Sequence, residues 1–182
     1  MPTWIWLFII IAGSLFCLKM IYVLCTAVVL PVTQGALYVS TTRARIAAFI
    51  AAVPMEPGQV LVDLGCGDGR VLRLARRHYR IKAIGFEVNL LAYLKGRALS
   101  IGLKDVEIRL KNFWSQNLVQ ADIVFCYLYP DVMQKLSTKL KAELKPGTLV
   151  VSCNFALPGF NPLRTLRPEG ALHSDPLYIY RV

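Results

Sequence analysis

Val60-Leu61-Val62-Asp63-Leu64-Gly65-Cys66-Gly67-Asp68-Gly69-Arg70 changes character twice within 11 residues. Val60 to Leu64 is a short apolar run of buried-strand type that carries one carboxylate, Asp63. Glycines then take every second position, at 65, 67 and 69, before Arg70 opens a stretch of helical spacing. Side chains are left out where a backbone must turn sharply or let a ligand approach closely. A strand running through such a turn into a helix brings the turn and the helix N-terminus to the carboxyl edge of a sheet, where ligands bind.

Outward from this turn the pattern repeats. From Arg70, Val71, Leu74, Ala75 and His78 share one helical face, and Arg73, Arg76, Arg77 and Arg80 share the opposite one. Ile81 to Glu87 reads as the next strand, Leu90 to Ser100 as a helix, Val106 to Leu110 as a third strand and Ala121 to Tyr127 as a fourth. Asp131 to Lys145 is predicted to be helical, with Met133, Leu136, Leu140 and Leu144 inward, and Lys145-Pro146-Gly147 turns the chain into a fifth strand, Thr148 to Cys153. Upstream, Thr42 to Val53 is a further helix. Alternating strands and helices imply an α/β fold whose parallel sheet is covered on both faces. Beyond Asn154 no helix is expected, and Leu166 and Leu177 to Val182 are extended segments suited to an antiparallel C-terminal hairpin.

A chain of 182 residues with 55% hydrophobic composition supports one core plus an appendage. The appendage is N-terminal, since between Trp4 and Leu30 the only clearly polar residues are Ser14, Lys19 and Thr26, and Pro31 closes the run. Its length suits a single transmembrane helix. Met1-Pro2-Thr3 lacks the basic start of a cleaved signal peptide. No Lys or Arg precedes Lys19, whereas Arg43 and Arg45 follow the run, so the C-terminal part is expected in the cytoplasm, at a bacterial inner membrane. The expected division is a membrane anchor at 1–31, a pre-domain segment and helix at 32–55, and the folded domain at 56–182.

The five cysteines have no CxxC spacing, and the only histidines are His78 and His173, so neither a disulfide framework nor a metal site is expected. The net charge of +10 favours anionic surfaces, whether lipid, acidic protein or nucleic acid.

The turn itself narrows the ligand. The dinucleotide fingerprint is G-x-G-x-x-G, but here the spacing is G-x-G-x-G, and Asp63 and Asp68 would repel a pyrophosphate. A ligand with a cationic amino group and a cationic centre suits the same place, and S-adenosylmethionine is such a ligand. Glu87 ends the second strand where an acid accepts hydrogen bonds from ribose hydroxyls. Asn112-Phe113-Trp114 follows the third strand and offers an amide and an aromatic face to adenine.

Val62-Asp-Leu-Gly-Cys-Gly-Asp-Gly-Arg70 with Gly85-Phe-Glu-Val-Asn89 resembles the class I S-adenosylmethionine-dependent methyltransferases, whose sheet is Rossmann-like. Leu37-Tyr-Val-Ser-Thr-Thr42 after the membrane run, Ala121 to Leu136, and Leu144 to Phe155 resemble the membrane-anchored protein-lysine methyltransferases. That family includes the mitochondrial enzymes acting on the adenine nucleotide translocase and on the c-subunit of ATP synthase.

The resemblance implies that Asp63, Gly65, Cys66, Gly67 and Gly69 hold the methionine end of the cofactor, that Glu87 holds the ribose, and that Tyr38 and Thr41 close over it. Asn112, standing where an aspartate is expected, and Phe113 would meet the adenine, while Tyr127, Tyr129 and Pro130 would line the entrance for the methyl acceptor. The paired prolines with an aspartate or asparagine used by amide and base N-methyltransferases are absent, which disfavours a nucleobase. A lysine of a membrane protein is the implied acceptor. A lipophilic small molecule such as a quinone or lipid is the alternative, followed by RNA. No residue is identified as a catalytic base.

Overall fold

The computed structural model describes residues 2–29, 40–168 and 175–182. Helix α1 (Thr3–Val29) is followed by α2 (Arg43–Ala52), β1 (Val60–Leu64), α3 (Arg70–His78), β2 (Lys82–Glu87), α4 (Leu90–Leu99) and β3 (Val106–Leu110). Then come β4 (Ile123–Cys126), α5 (Met133–Glu143), β5 (Leu149–Cys153), β6 (Arg164–Leu166) and β7 (Leu177–Arg181). The strands form one sheet in the order β3-β2-β1-β4-β5-β7-β6. β1 to β5 are parallel, and β7 pairs antiparallel with both β5 and β6, which is the expected C-terminal hairpin.

Strand alternation sorts the interior into two layers. Leu61, Ala83, Ile123 and Phe125 face α2 and α3, where Ile46, Phe49, Val71, Leu72 and Ala75 are buried. Val62, Leu64, Ile84, Phe86, Val124 and Cys126 face α5 through Met133, Leu136 and Leu140. The Phe49 and Phe125 rings meet at 4.9 Å, so the helix upstream of the glycine motif is part of the core. Among the described residues no α-helix connects β3 to β4 or β5 to β6. A 3-10 turn at Phe113–Ser115 with Leu118 fills the first gap, and Leu157 with Phe160 fills the second.

The inward face of α3 is rotated from the expected one. Leu72 is fully buried and His78 exposed, because the helix lies close over β2 at Gly85. A Cβ on Gly85 would meet Cys66 Sγ, and would come within 2.7 Å of Leu72 Cδ1. α5 also begins later than expected, at Met133, after a 3-10 turn at Pro130–Val132.

The 22 residues Thr3–Leu24 of α1 are long and apolar enough to cross a bilayer, and none of that stretch is buried against the rest of the chain.

Candidate functional site

Sheet order reverses between β1 and β4, whose neighbours diverge to either side, and in open α/β sheets this switch point opens a crevice beyond the strands' carboxyl ends. Asp63 near the end of β1 and Tyr127 just after β4 face each other there. With Ser40, Thr41, Gly65, Cys66, Asp68, Arg70, Val71 and Phe125 they line a small cavity, partly open to solvent. Of the residues expected at the cofactor, Thr41, Asp63, Gly65 and Cys66 thus share one cavity with Tyr127.

The glycine turn contributes space and oxygen atoms rather than N–H donors. The N–H groups of Gly65 and Cys66 both donate to Phe86 O at 3.0 Å, that of Gly69 donates to Cys66 O at 2.8 Å, and that of Gly67 donates to Glu87 Oε2 at 2.7 Å. Among the described residues the Gly65 carbonyl receives no hydrogen bond. With the N–H groups of Gly65, Cys66, Gly67 and Gly69 committed and the Gly65 carbonyl open, the glycine part of the turn suits a cation better than a phosphate. Gly69 sits at φ +71° as the N-cap of α3, and a side chain there would run into Ile108. Gly96 on α4 lets that helix come against the turn, since a Cβ would lie 3.1 Å from Asp68 O.

The two aspartates of the motif have separate roles. Asp68 is buried, which alone would raise its pKa, but Arg70 and Lys95 hold its carboxyl well below the usual carboxylate range. Arg70 grips it through Nε and Nη2 at 3.0 Å, Lys95 Nζ lies at 3.0 Å, and Arg70 Nη1 also donates to Thr41 O at 3.4 Å. Asp68 therefore ties the segment before α2 to the turn. Asp63 is 2% exposed and receives no hydrogen bond among the described residues. Burial, and secondarily the Glu87 charge, push its carboxyl well above the usual range. An acid of this kind lining a cavity is a seat for a cationic group, and it fits the ammonium of a bound methionine moiety.

Glu87 is 7% exposed and is held from three sides. Its Oε1 accepts from the Val88 and Asn89 N–H groups at 2.8 and 2.7 Å, and its Oε2 accepts from Gly67. Sequence reasoning expected a carboxylate accepting hydrogen bonds from ribose hydroxyls. The structure shows Glu87, outside the cavity lining, clamping the glycine turn to the end of β2, with spare acceptor capacity chiefly on Oε2.

Asn112 differs from expectation in a similar way. Its Oδ1 accepts from Trp114 N–H at 3.0 Å and caps the 3-10 turn, so that oxygen is engaged within the turn itself. Phe113 stacks on Trp114 at 4.6 Å, and Lys135 Nζ lies 4.5 Å from the Trp114 ring centre. Asn112 and Phe113 lie outside the cavity lining, as do Tyr129 and Pro130, which are exposed at the start of the turn before α5. Tyr38 lies outside the described residues.

Arg45 is the residue that sequence reasoning missed. It is 5% exposed on α2, donates from Nη1 to the Tyr127 hydroxyl at 3.2 Å, stacks over that ring at 5.4 Å, and forms an ion pair with Asp175 through Nη2. Tyr127 is thus fixed as an acceptor toward Arg45, and its own O–H remains for a partner in the cavity. The buried thiols are unsuited to nucleophilic work. Burial pushes Cys126 up to about 12 and raises Cys66 and Cys153 well above the usual thiol range.

The ANTKMT methyltransferase domain model matches residues 63–164, from Asp63 through the start of β6. The chain belongs to the ANTKMT methyltransferase domain family. A protein-lysine N-methyltransferase of Saccharolobus islandicus is 30% identical over 150 residues, which cover 79% of this chain and 91% of the relative. The mouse adenine nucleotide translocase lysine N-methyltransferase is 32% identical over 148 residues, and there the match spans 80% of this chain but only 62% of the relative. The structure of an RNA methyltransferase from Salinibacter ruber in complex with S-adenosyl-L-homocysteine superposes with a TM-score of 0.72 at 32% identity, covering 79% of this chain and 94% of that one. This family member is an S-adenosylmethionine-dependent methyltransferase on a Rossmann-like sheet.

If Asp63 seats the cofactor's ammonium, binding is expected to depend on pH. Burial raises the Asp63 carboxyl, and pairing with an ammonium favours the carboxylate, so binding lowers its pKa, is linked to proton release, and tightens as pH rises toward the raised pKa. Calorimetry in buffers of different ionisation enthalpy measures this release directly. Asp63→Asn is expected to abolish it and to weaken binding about tenfold or more.

Proposed function

We propose that the chain is a protein-lysine N-methyltransferase acting on a membrane-associated protein, with α1 as a single-pass anchor and the catalytic part in the cytoplasm. The division into an anchor at 1–31, a pre-domain segment at 32–55 and a catalytic domain at 56–182 belongs to the same reading. The observation that carries it is the pairing of a cation-seating cleft, edged by Tyr127, with a helix apolar enough to hold that cleft at a bilayer. The relatives' names support lysine as acceptor, and two of the mouse relatives are named for the adenine nucleotide translocase and for the c-subunit of ATP synthase.

Bound S-adenosylmethionine supplies an electrophilic methyl group on a sulfonium. The chain's own work is to seat the ammonium at Asp63, hold the turn at Glu87 and present the acceptor amine. A lysine must be neutral to attack, which costs about 4 to 5 kcal/mol at pH 7 from a reference pKa near 10.4. Desolvation on entering the cleft, beside the cofactor's positive sulfonium, lowers that pKa. With Asp63 assigned to the ammonium and Asp68 held by Arg70 and Lys95, no side chain of the cleft is assigned as a base, and positioning and desolvation carry the step. The amine nitrogen displaces the thioether sulfur from the methyl carbon, and the ammonium so formed gives its proton to water.

Tyr129, 37% exposed beside the cleft, is assigned to the lysine stem and its ammonium. Tyr129→Ala is expected to lower kcat/KM for membrane protein about tenfold while leaving S-adenosylmethionine affinity within a factor of about two, because the contact is made with the acceptor. A matching loss of cofactor affinity would move Tyr129 to the cofactor site.

A second reading rests on the neighbour named as an RNA methyltransferase together with the net charge of +10. α1 argues for a membrane acceptor over RNA, since tethering raises the local concentration of membrane substrates only.

A further inference from the structure

Outside α1, most of the exposed large apolar side chains lie on α4, in the turn after it and at the end of β3. Leu90, Leu94 and Leu99 of α4, Ile101 in the turn after it and Leu110 at the end of edge strand β3 are 42%, 52%, 52%, 82% and 45% exposed. Helical spacing places Leu90, Leu94, Arg97, Ala98 and Ile101 in one outward row, and all five are exposed. Ala92, Gly96 and Ser100 form the buried row against the sheet. One inward row is enough to hold an edge helix, so the outward leucines and Ile101 contribute nothing to the core. Apolar patches of this kind mark a surface that meets something.

The surrounding charge says what it meets. Arg97 lies within the row, and Lys104 and Lys111 flank it, all exposed. The nearby acids are already engaged: Asp68 by Arg70 and Lys95, Asp105 by Arg76, and Glu107 by Arg109. α1 also comes close to α4.

We propose that the outward row of α4, together with Leu110, is a second membrane contact that lies in the headgroup–acyl boundary of an anionic bilayer. The inference rests on α1 being a membrane anchor. Leucine and isoleucine flanked by Lys and Arg is the pattern of a helix lying in the interface plane, and anionic headgroups complement Arg97, Lys104 and Lys111. The contact has a catalytic consequence through Asn89, which caps α4 and directly follows the Glu87–Val88 end of β2. Laying α4 on the bilayer sets the open edge of the cleft at the membrane surface, whereas a single tether leaves the unit free to swing.

The test uses full-length protein in nanodiscs of phosphatidylglycerol and phosphatidylcholine. A nitroxide is placed at Ala98→Cys, in the exposed row, in a background carrying Cys17→Ala and Cys25→Ala. Lys145→Cys, also exposed, serves as the solvent control. In a separate sample the wild-type thiol Cys17, exposed on α1, carries the label. The label at position 98 is expected to collide with oxygen severalfold more, relative to a nickel chelate, than the label at 145. Leu94→Glu combined with Ile101→Glu, or phosphatidylcholine alone, is expected to return the 98 label to water while the Cys17 label stays in lipid. A 98 label as open to the chelate as the 145 label, with Cys17 in lipid, overturns the second contact and leaves the anchor. A Cys17 label in water overturns the anchor itself. Spin–spin coupling between 98 labels on two chains assigns the row to a second copy and overturns the proposal.

Discussion

Glu87→Ala is expected to weaken S-adenosylmethionine binding by about 3 kcal/mol, a loss of more than roughly hundredfold in affinity. The size follows from its double role. On the proposed contact the ribose would lose a charged acceptor, and the N–H groups of Gly67, Val88 and Asn89 lose theirs in a site that is 7% exposed. Glu87→Gln is nearly isosteric and is still expected to be poor. Its amide nitrogen must face either the Gly67 N–H or the Val88 and Asn89 pair, and a donor facing a donor is repulsive. Calorimetry on both variants separates the roles, since a pure ribose contact lets the amide recover most of the binding and a loop clamp does not. Wild-type affinity in both variants would remove Glu87 from the site.

The second large effect is on stability. Arg45→Met leaves the Asp175 carboxylate, 16% exposed, without its ion-pair partner and deprives the Tyr127 hydroxyl of a donor. Breaking one side of a buried pair costs about 3 to 5 kcal/mol, and the lower end applies here because Asp175 still reaches water. Asp175→Asn leaves a guanidinium that is 5% exposed without a counter-charge and is expected to cost a similar amount. The double variant, Arg45→Met with Asp175→Leu, removes both charges and is expected to recover much of the loss. Thermal unfolding in detergent micelles, followed for all three, measures the coupling. Additive losses in the double variant would mean that the two residues act independently.

These two predictions mark what was legible in the sequence and what was not. The strand, the glycine turn and the acid ending β2 were readable because each leaves a local signature: an apolar run, missing side chains at alternate positions, and a carboxylate where a strand must end. The sheet and its C-terminal hairpin followed from the same periodicity, and the family resemblance is matched by the model covering residues 63–164. Arg45 was not readable in the same way. An arginine three residues into a short helix after a membrane run reads as a charge that sets orientation. Only the meeting of α2 with Tyr127 and Asp175, 82 and 130 positions away, shows it as a strut beside the cleft.

Donor commitments were also invisible. A glycine turn announces close approach, but not that its N–H groups are already used by Phe86, Cys66 and Glu87, nor that the Asn112 oxygen caps its own turn. The role of Gly96 escaped for a similar reason, since a glycine inside a helix looks like a weakness until the Asp68 carbonyl is found pressed against it.

The most direct test of the central claim is the destination of the methyl group. Membranes from cells lacking this protein are incubated with the purified full-length chain and radiolabelled S-adenosylmethionine. The counts are partitioned among protein, extractable lipid and RNA, and the protein fraction is hydrolysed for amino-acid analysis. Label recovered as methylated lysine from a membrane protein, and lost with Asp63→Asn, is the predicted result. Label confined to extractable lipid or quinone, or to RNA, with none on lysine, would contradict it.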